Sequence, residues 1–379
     1  MTPSVLRDSL RLARTDGIGP VAFRRLLARY RTAAAAIDAL PGLARAGGRA
    51  VPPAVPSAAV AAREIAALEK LQGQFLIHGQ PGYPALLALL DDAPPIIAVL
   101  GDPACLAQKC VALVGSRNAS VNGQRMAENL ARELAEAGFT VVSGMARGVD
   151  GAAHEGALRT GKTVAAVAGG IDLPYPPEHA DLQRRIAASG AVVAEAPLGT
   201  APLARHFPRR NRIIAGLSLG VVVVEAALRS GSLITARIAI ETGREVFAVP
   251  GSPLDPRARG ANDLIREGAH LTETLADILN NLPDHPTRVG LARNPLFSRG
   301  EPPGLGEPAP ASPDQAATDA ETTHARDKIL AMLSPAPTDV DDLIRRCQFS
   351  APAVMAALLD LEIAGRVESL PGNRVARLV

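Results

Sequence analysis

The 379-residue sequence has no tryptophan and only three cysteines, three tyrosines and seven phenylalanines. The cysteines, Cys105, Cys110 and Cys347, form no C-x-x-C pair, which argues against a disulfide framework or a structural zinc site. A reducing, cytoplasmic environment is therefore expected. Excess charge is lacking too, because 40 Lys and Arg residues nearly balance 38 Asp and Glu residues and leave a formal charge of +2. Any attraction to a polyanion must therefore come from local basic patches.

Long apolar segments are also absent. Residues 1–11 contain no apolar signal region, and the most hydrophobic stretch, residues 213–228, is interrupted by Ser218 and Glu225. We therefore expect neither export nor a membrane partner. The 47% of apolar and 21% of charged residues are typical of globular domains, and the length predicts two or three of them.

Changes in composition along the chain predict four segments. Residues 1–70 are expected to form a small helical domain, and residues 71–281 an extended Rossmann-like domain. Residues 282–323 are rich in Pro, Gly and Ala and predict a linker. Residues 324–379 are expected to form a winged-helix domain.

The N-terminal segment combines a tight turn with a local positive charge. Residues 17–20, Gly-Ile-Gly-Pro, are predicted to join two helices, and residues 1–50 carry nine Arg against three Asp. In helix-hairpin-helix units such a turn presents backbone N–H groups to a phosphate. An ordinary tight turn between helices explains the same residues equally well.

The central segment alternates β-rich apolar runs with amphipathic helical patterns. This predicts an α/β fold with a doubly wound, mostly parallel sheet covered on both faces. Six strands are predicted, at residues 111–114, 140–143, 163–168, 191–195, 221–225 and 246–249. Residues 75–77 and 96–100 could add edge strands to the same sheet.

The C-terminal segment predicts three helices followed by a hairpin. These patterns lie at residues 325–333, 340–347, 351–364 and 366–377. Seven basic and seven acidic residues balance from residue 324 onwards, and the third helix contains no Arg or Lys. The charge therefore does not support DNA binding by this domain or a transcriptional regulator, and a protein contact is equally plausible.

Candidate ligand-binding residues follow the strands, since ligands of doubly wound sheets lie at the carboxyl ends of the strands. After the first strand, Ser116 can donate to an oxyanion and Arg117 can hold a phosphate. After the second, Gly144 and Gly148 flank Arg147. Glycines required only for the turns would account for either motif alone.

A third motif is strongly basic and carries an aromatic residue. Its arginines, which could neutralise successive phosphates, are Arg205, Arg209, Arg210 and Arg212. Phe207 offers a stacking surface, and the combination is that expected of single-strand binding. The alternative is that these arginines form salt bridges to neighbouring carboxylates. A fourth motif places Gly231 and Ser232 at a helix N-terminus, where an anion can bind.

Two signatures of common catalytic and cofactor sites are missing. The sequence has no dinucleotide-binding G-x-G-x-x-G with its acidic partner and no H-E-x-x-H. Asp150, Asp172 and Glu225 are expected to cap helices or hold the arginines rather than act as general bases. We therefore expect no cofactor, no metal and no enzymatic activity.

Several motifs together closely resemble the DNA-processing protein A (DprA, or Smf) family. They are residues 115–117, 143–150 with 153–154, 169–172 with 175–176, 207–218, 224–226 with 230–236, 248–251 and 260–265. The resemblance extends over about residues 83–268. The family's architecture also includes a small N-terminal helical domain of SAM or helix-hairpin-helix type and a C-terminal winged helix.

This resemblance implies a homodimer that binds single-stranded DNA without strong base preference. It further implies protection of incoming DNA and its transfer to the RecA recombinase in natural transformation or DNA recombination. The DNA pocket carried over from the family comprises Ser116, Arg117, Arg205, Phe207, Arg210 and Asn211. Where some relatives have a lysine, this chain has Ala204 followed by Arg205.

An enzyme is the alternative hypothesis. The sheet and its glycine turns resemble, more distantly, the lysine-decarboxylase-like nucleotide phosphoribohydrolases. Their P-G-G-x-G-T-x-x-E segment is replaced here by residues 230–236, which lack the acidic residue that this chemistry requires.

Overall fold

A computed structural model describes residues 2–283, 319–370 and 372–378. The described residues fall into two compact units, residues 2–63 with 319–378, and residues 64–283. Most of the predicted linker lies outside the described residues. The predicted fold class is confirmed, with a mostly parallel sheet, an N-terminal helical region and a winged helix.

Four helices form the N-terminal segment. They are α1 (Pro3–Ala13), α2 (Pro20–Tyr30), α3 (Ala33–Ala46) and α4 (Ala58–Lys70). The predicted tight turn connects α1 to α2: Gly17 takes φ +82°, which glycine adopts without strain, and Pro20 begins α2 at a position that needs no N–H. The helices enclose an apolar core around Leu12, Phe23 and Leu40.

A nine-stranded sheet forms the second unit. Its strands are β1 (Gly73–Ile77), β2 (Ile96–Gly101), β3 (Cys110–Val114), β4 (Thr140–Ser143), β5 (Thr163–Val167), β6 (Ala191–Ala194), β7 (Gly220–Val223), β8 (Glu245–Ala248) and β9 (His270–Leu271). Their order is β1-β2-β6-β5-β4-β3-β7-β8-β9. Strands β3 to β9 pair in parallel, and β1 and β2 form an antiparallel edge. All predicted strands are present, and only β9 was not predicted.

Helices cover both faces of this sheet. They are α5 (Ala85–Ala88), α6 (Val121–Glu136), α7 (Val149–Ala157), α8 (Ala180–Ser189), α9 (His206–Leu217), α10 (Gly231–Glu241), α11 (Arg259–Arg266) and α12 (Leu275–Leu279). Strands β3, β6 and β7 are completely buried, which explains why they are apolar at every position rather than at alternate ones. Strand order reverses between β3 and its neighbours β4 and β7, so that a crevice is expected beyond their carboxyl ends.

The C-terminal segment forms the predicted winged helix. Its elements are α13 (Asp319–Met332), β10 (Thr338–Asp339), α14 (Val340–Cys347), α15 (Ala351–Ile363), β11 (Val367–Leu370) and β12 (Arg374–Arg377). The strands form an antiparallel sheet of order β10-β12-β11, of which β10 was not predicted. Helix α13 begins at Asp319 rather than at residue 325, so the end of the predicted linker is helical. Within the described residues, every helix is too short or too polar to cross a bilayer.

Candidate nucleic-acid interface

The loops after β3 and β4 pack directly against each other at the carboxyl edge of the sheet. The N–H of Val149 donates to the Ser116 carbonyl at 3.2 Å. Gly148 takes φ +72°, and a Cβ there would collide with the carbonyl oxygens of Ser116 and Arg117. A glycine is therefore required for the two loops to approach, and this approach fixes the backbone that carries Arg117.

Four side chains from two loops and helix α9 meet above this edge, and we call them the Phe207 cluster: Arg117, Tyr175, Phe207 and Arg210. The Cζ atom of Arg117 lies 4.9 Å from the Phe207 ring centroid, and that of Arg210 lies 5.9 Å from it. The Tyr175 ring meets Phe207 edge-on, with centroids 5.9 Å apart. Arg117 and Tyr175 are exposed and Phe207 is partly exposed, so rings and a cation face solvent together.

Tyr175 was not among the predicted site residues. It belongs to the Tyr-Pro pair after β5, which was recognised only as part of a family motif. An isolated tyrosine in a loop carries no periodic signal, and only the folded chain brings it to Phe207. Its 45% exposure makes it a second available ring surface.

Arg210 anchors the cluster from beneath. Its buried Nη1 donates to the carbonyl of Ala166 at 2.6 Å and to that of Gly144. A Cβ at position 144 would collide with this guanidinium and with the Asp150 carboxylate, which explains the glycine. Burial lowers the pKa of Arg210 to about 10, while the Asp150 carboxylate opposes that shift. Arg210 is thus held rigidly at the carboxyl ends of β4 and β5.

Asp150 is the buried counter-charge of Arg210. Burial raises the pKa of the Asp150 carboxyl, and the charge of Arg210 opposes this most strongly. The carboxylate also accepts a hydrogen bond from the Ala146 N–H at 3.3 Å. As predicted for this residue, Asp150 holds an arginine and a loop.

The other arginines of the third motif have two different environments. Arg205 and Arg209 are exposed at the beginning of α9. Arg212 is buried instead, and its Nη2 bonds both oxygens of Glu195 at 2.6 Å while its Nη1 donates to the Asp92 carbonyl. For Arg212 this is the salt-bridge arrangement that the sequence left open as the alternative.

Arg147 is exposed at the same edge and forms an ion pair with Glu178. The hydrogen bond and the charge of Glu178 raise the pKa of Arg147. Both side chains are about half exposed or more, so a phosphate can compete with the carboxylate for this guanidinium.

The remaining predicted positions lie around the start of α10. Ser230 caps this helix by accepting from the Ser232 N–H at 3.3 Å, and Ser232 itself is buried. Asn211 donates from Nδ2 to the Gly231 carbonyl at 3.4 Å, which joins α9 to α10. Across the site, Ser116 accepts from the Asn118 N–H at 3.2 Å.

Asp172 and Glu225 were expected to cap helices or hold arginines, and both accept backbone N–H groups. Asp172 does so in a turn rather than at a helix, from the Gly199 N–H at 2.9 Å. Glu225 accepts from the Ser120 N–H at 2.9 Å at the start of α6, where Gly123 leaves space for it. Among the described residues no group of three His, Cys, Asp or Glu could hold a metal ion.

Comparison with known proteins identifies the family. Residues 74–283 match the family model of DNA recombination-mediator protein A. Residues 5–67 match the DprA-like N-terminal HHH domain, and residues 308–373 match the DprA winged helix domain. The chain belongs to the DNA recombination-mediator protein A family. The resemblance found in the sequence is thereby confirmed.

Relatives of this DprA family match most of the chain. Protein Smf of Escherichia coli (strain K12) is 41% identical over 299 residues, which cover 77% of this chain and 74% of that protein. The DNA processing protein DprA of Streptococcus pneumoniae is 46% identical over 198 residues, covering 52% of this chain and 70% of that protein.

Two solved DprA structures share the fold. The X-ray structure of DprA from Streptococcus pneumoniae matches with a TM-score of 0.62 at 32% identity, and covers 73% of this chain and 97% of that chain. A structure of DNA processing protein A from Helicobacter pylori, described for its single-stranded DNA binding mode, matches with a TM-score of 0.51 at 30% identity. It covers 55% of this chain and 94% of that one.

Proposed function

We propose that the protein binds single-stranded DNA at the carboxyl edge of its sheet and passes the strand to the RecA recombinase during DNA recombination or natural transformation. The observation that carries the proposal is the Phe207 cluster, in which two partly exposed rings lie beside an exposed guanidinium. The family relationship and the described DNA-binding mode of the Helicobacter pylori relative support it.

Recognition in this proposal rests on stacking and on phosphate neutralisation. A base can stack on Phe207 or Tyr175 because every base has an aromatic face, and only an unpaired strand offers that face. Arg117, Arg205 and Arg209 are exposed cations that neutralise the backbone. Weak base preference and strong salt dependence follow, since neither contact reads a base edge.

The buried residues of the site have a positioning role. Arg210 supports the Phe207 ring and Asn211 ties α9 to the Gly231 loop, so both shape the surface on which the strand lies. Arg212 acts through the stability of α9, because Glu195 and Asp92 already bind its guanidinium.

Arg147 is exposed, and it contributes to phosphate binding once its ion pair with Glu178 is displaced.

The proposed activity is binding and transfer rather than catalysis. The three carboxylates considered as general bases are engaged with backbone N–H groups or with an arginine. The proposal includes a homodimer in the cytoplasm that protects the incoming strand until RecA receives it.

A salt series of fluorescence-anisotropy titrations tests the proposal. We expect a labelled single strand to bind more tightly than its duplex, with an affinity that falls steeply as salt rises. Equal binding of both forms, or none, would contradict it. Incubation with nucleoside monophosphates tests the phosphoribohydrolase alternative, which requires release of free base. RecA loading is then measured as the rate of RecA filament formation on DNA already coated by a single-strand-binding protein.

A further inference from the structure

The third helix of the winged helix contributes to two hydrophobic cores. Val354, Leu358 and Leu361 of α15 pack into the core of the winged helix. Leu359 and Ile363 of the same helix, which are 2% and 0% exposed, belong instead to the core of the N-terminal helices. The apolar composition of α15 thus has a structural cause, because two separate faces of the helix are covered.

The backbones also approach closely at this contact. Gly47, directly after α3, lies against the carbonyl of Asp360, and a Cβ there would overlap that oxygen. The same Cβ would lie 2.6 Å from the Cβ of Ala364. Arg49 donates from Nη1 to the Ile363 carbonyl at 3.3 Å. Contact of this closeness requires a glycine at position 47, so the surfaces are fitted to each other.

Opposite charges face each other across the contact. Arg25 of α2 lies 3.8 Å from Glu362, and Arg29 lies 4.0 Å from Asp360. The local positive charge of the N-terminal segment therefore meets the acidic residues of α15. Arg326 of α13 contacts Asp360 from the other side at 3.1 Å, so this carboxylate joins both domains.

In helix-turn-helix proteins that read DNA, the recognition helix lies in the major groove. Here α15 carries no basic residue, and its face that bears Leu359 and Ile363 is covered by α2 and α3. We propose that α15 is an intramolecular protein-docking face, and that its partner is the N-terminal helical segment of the same chain. The two ends of the chain then form one composite domain, into which residues 64–283 are inserted, and α15 is closed to DNA.

Hydrogen exchange of the full chain, followed by mass spectrometry, tests this proposal. Gly47→Leu is expected to raise amide exchange in both α3 and α15 by at least about tenfold, because loss of the contact lowers the cost of local opening. Gly42→Leu is the matched control, since Gly42 is exposed on α3 with nothing within 4 Å of its Cβ position. Unchanged exchange in α15 of the Gly47 variant would overturn the docking assignment.

Two further measurements keep the proposal testable if Gly47→Leu does not fold. In the wild-type chain, added duplex or single-stranded DNA is expected to leave α15 exchange unchanged, and new protection there would overturn the closure of α15 to DNA. Dilution is expected to leave α15 protected, because an intramolecular contact is independent of concentration. Protection that is lost on dilution would place the partner on a second chain and overturn the intramolecular assignment.

Discussion

The guanidinium of Arg117 lies over the ring of Phe207, with Cζ 4.9 Å from the ring centroid. Arg117 follows β3 and Phe207 lies in the first turn of α9, so the pair joins the loop after β3 to α9 at one edge of the sheet. A cation beside an aromatic ring can bind a nucleotide, because the cation attracts the phosphate and the base stacks on the ring. The relationship leads to predictions that separate DNA-contacting residues from structural ones.

Replacing Arg117 by Ala is expected to weaken single-strand binding and to reduce its salt dependence. One phosphate contact contributes about 0.7 to the slope of log affinity against log salt for single strands. Anisotropy titrations over a salt series measure both quantities. Arg159→Ala is the control, because Arg159 is exposed just beyond the last residue of α7 and pairs with Glu128. Wild-type affinity and slope in Arg117→Ala would exclude this edge as the binding surface.

Replacing Phe207 by Leu is expected to reduce affinity at every salt concentration without changing the slope. Base stacking on an aromatic side chain is worth about 1–3 kcal/mol, or about a 5- to 150-fold loss of affinity. Tyr175→Leu should also weaken binding, and the double variant should lose less than the sum, since the rings are in contact. Full additivity would show that the two rings act on separate nucleotides without mutual support. A Phe207→Leu protein with wild-type affinity would remove stacking from the mechanism.

Much of the sheet could be predicted because its central strands are short, buried and predominantly apolar. Strand β9 could not, since two residues, His270 and Leu271, carry no periodic signal. The role of Arg212 could not be predicted either, because its partners are distant in the sequence. Arg209 and Arg212 lie in the same basic motif, and only the ion pairs of Arg212 with Glu195 and Asp92 show that its role differs. The buried side of α9 was predictable in part, because Arg210 precedes Ile213 and Ile214 by three and four positions and shares their face.

The association of the chain's two ends was also invisible in the sequence. The helical pattern of residues 1–70 and the winged-helix pattern of residues 324–379 each predict a separate hydrophobic core. Neither pattern predicts that the two cores are in contact. Charge gave a partial signal, since a positive N-terminal segment and acidic residues in α15 are complementary. What decides the contact is the shape around Gly47, and shape at that scale exists only after folding.

Replacing Arg212 by Gln is expected to destabilise the protein while leaving DNA affinity and its salt slope unchanged. Breaking a buried ion pair costs about 3–5 kcal/mol, and a value near the lower end is expected because Glu195 is 25% exposed. Urea unfolding measures the free-energy change, and anisotropy at a temperature where the variant is folded measures binding. A variant of wild-type stability that loses affinity and salt slope would place Arg212 on the DNA instead.

Protonation of His206 is expected to make DNA binding stronger as pH falls through the pKa that this group has in the complex. Partial burial, followed by the charges of Arg205 and Arg209, lowers the pKa of His206 in the free protein. A phosphate bound to those arginines offsets their charge and raises the pKa of His206. The complex therefore takes up a proton at a higher pH than the free protein does. Binding energy is therefore gained as pH falls through the bound-state pKa, and none is contributed at pH values above both pKa values.

Comparison of the wild type with His206→Gln between pH 5 and pH 8 isolates this effect, because all other titrating groups remain. The variant is expected to show a flatter dependence of affinity on pH, and the two proteins should have the same affinity at the alkaline end. Glutamine retains a side-chain acceptor for the Leu203 N–H, which His206 Nδ1 accepts at 3.3 Å. If the affinities of the wild type and of His206→Gln depend on pH in the same way, no phosphate binds close enough to Arg205 and Arg209 to change the pKa of His206.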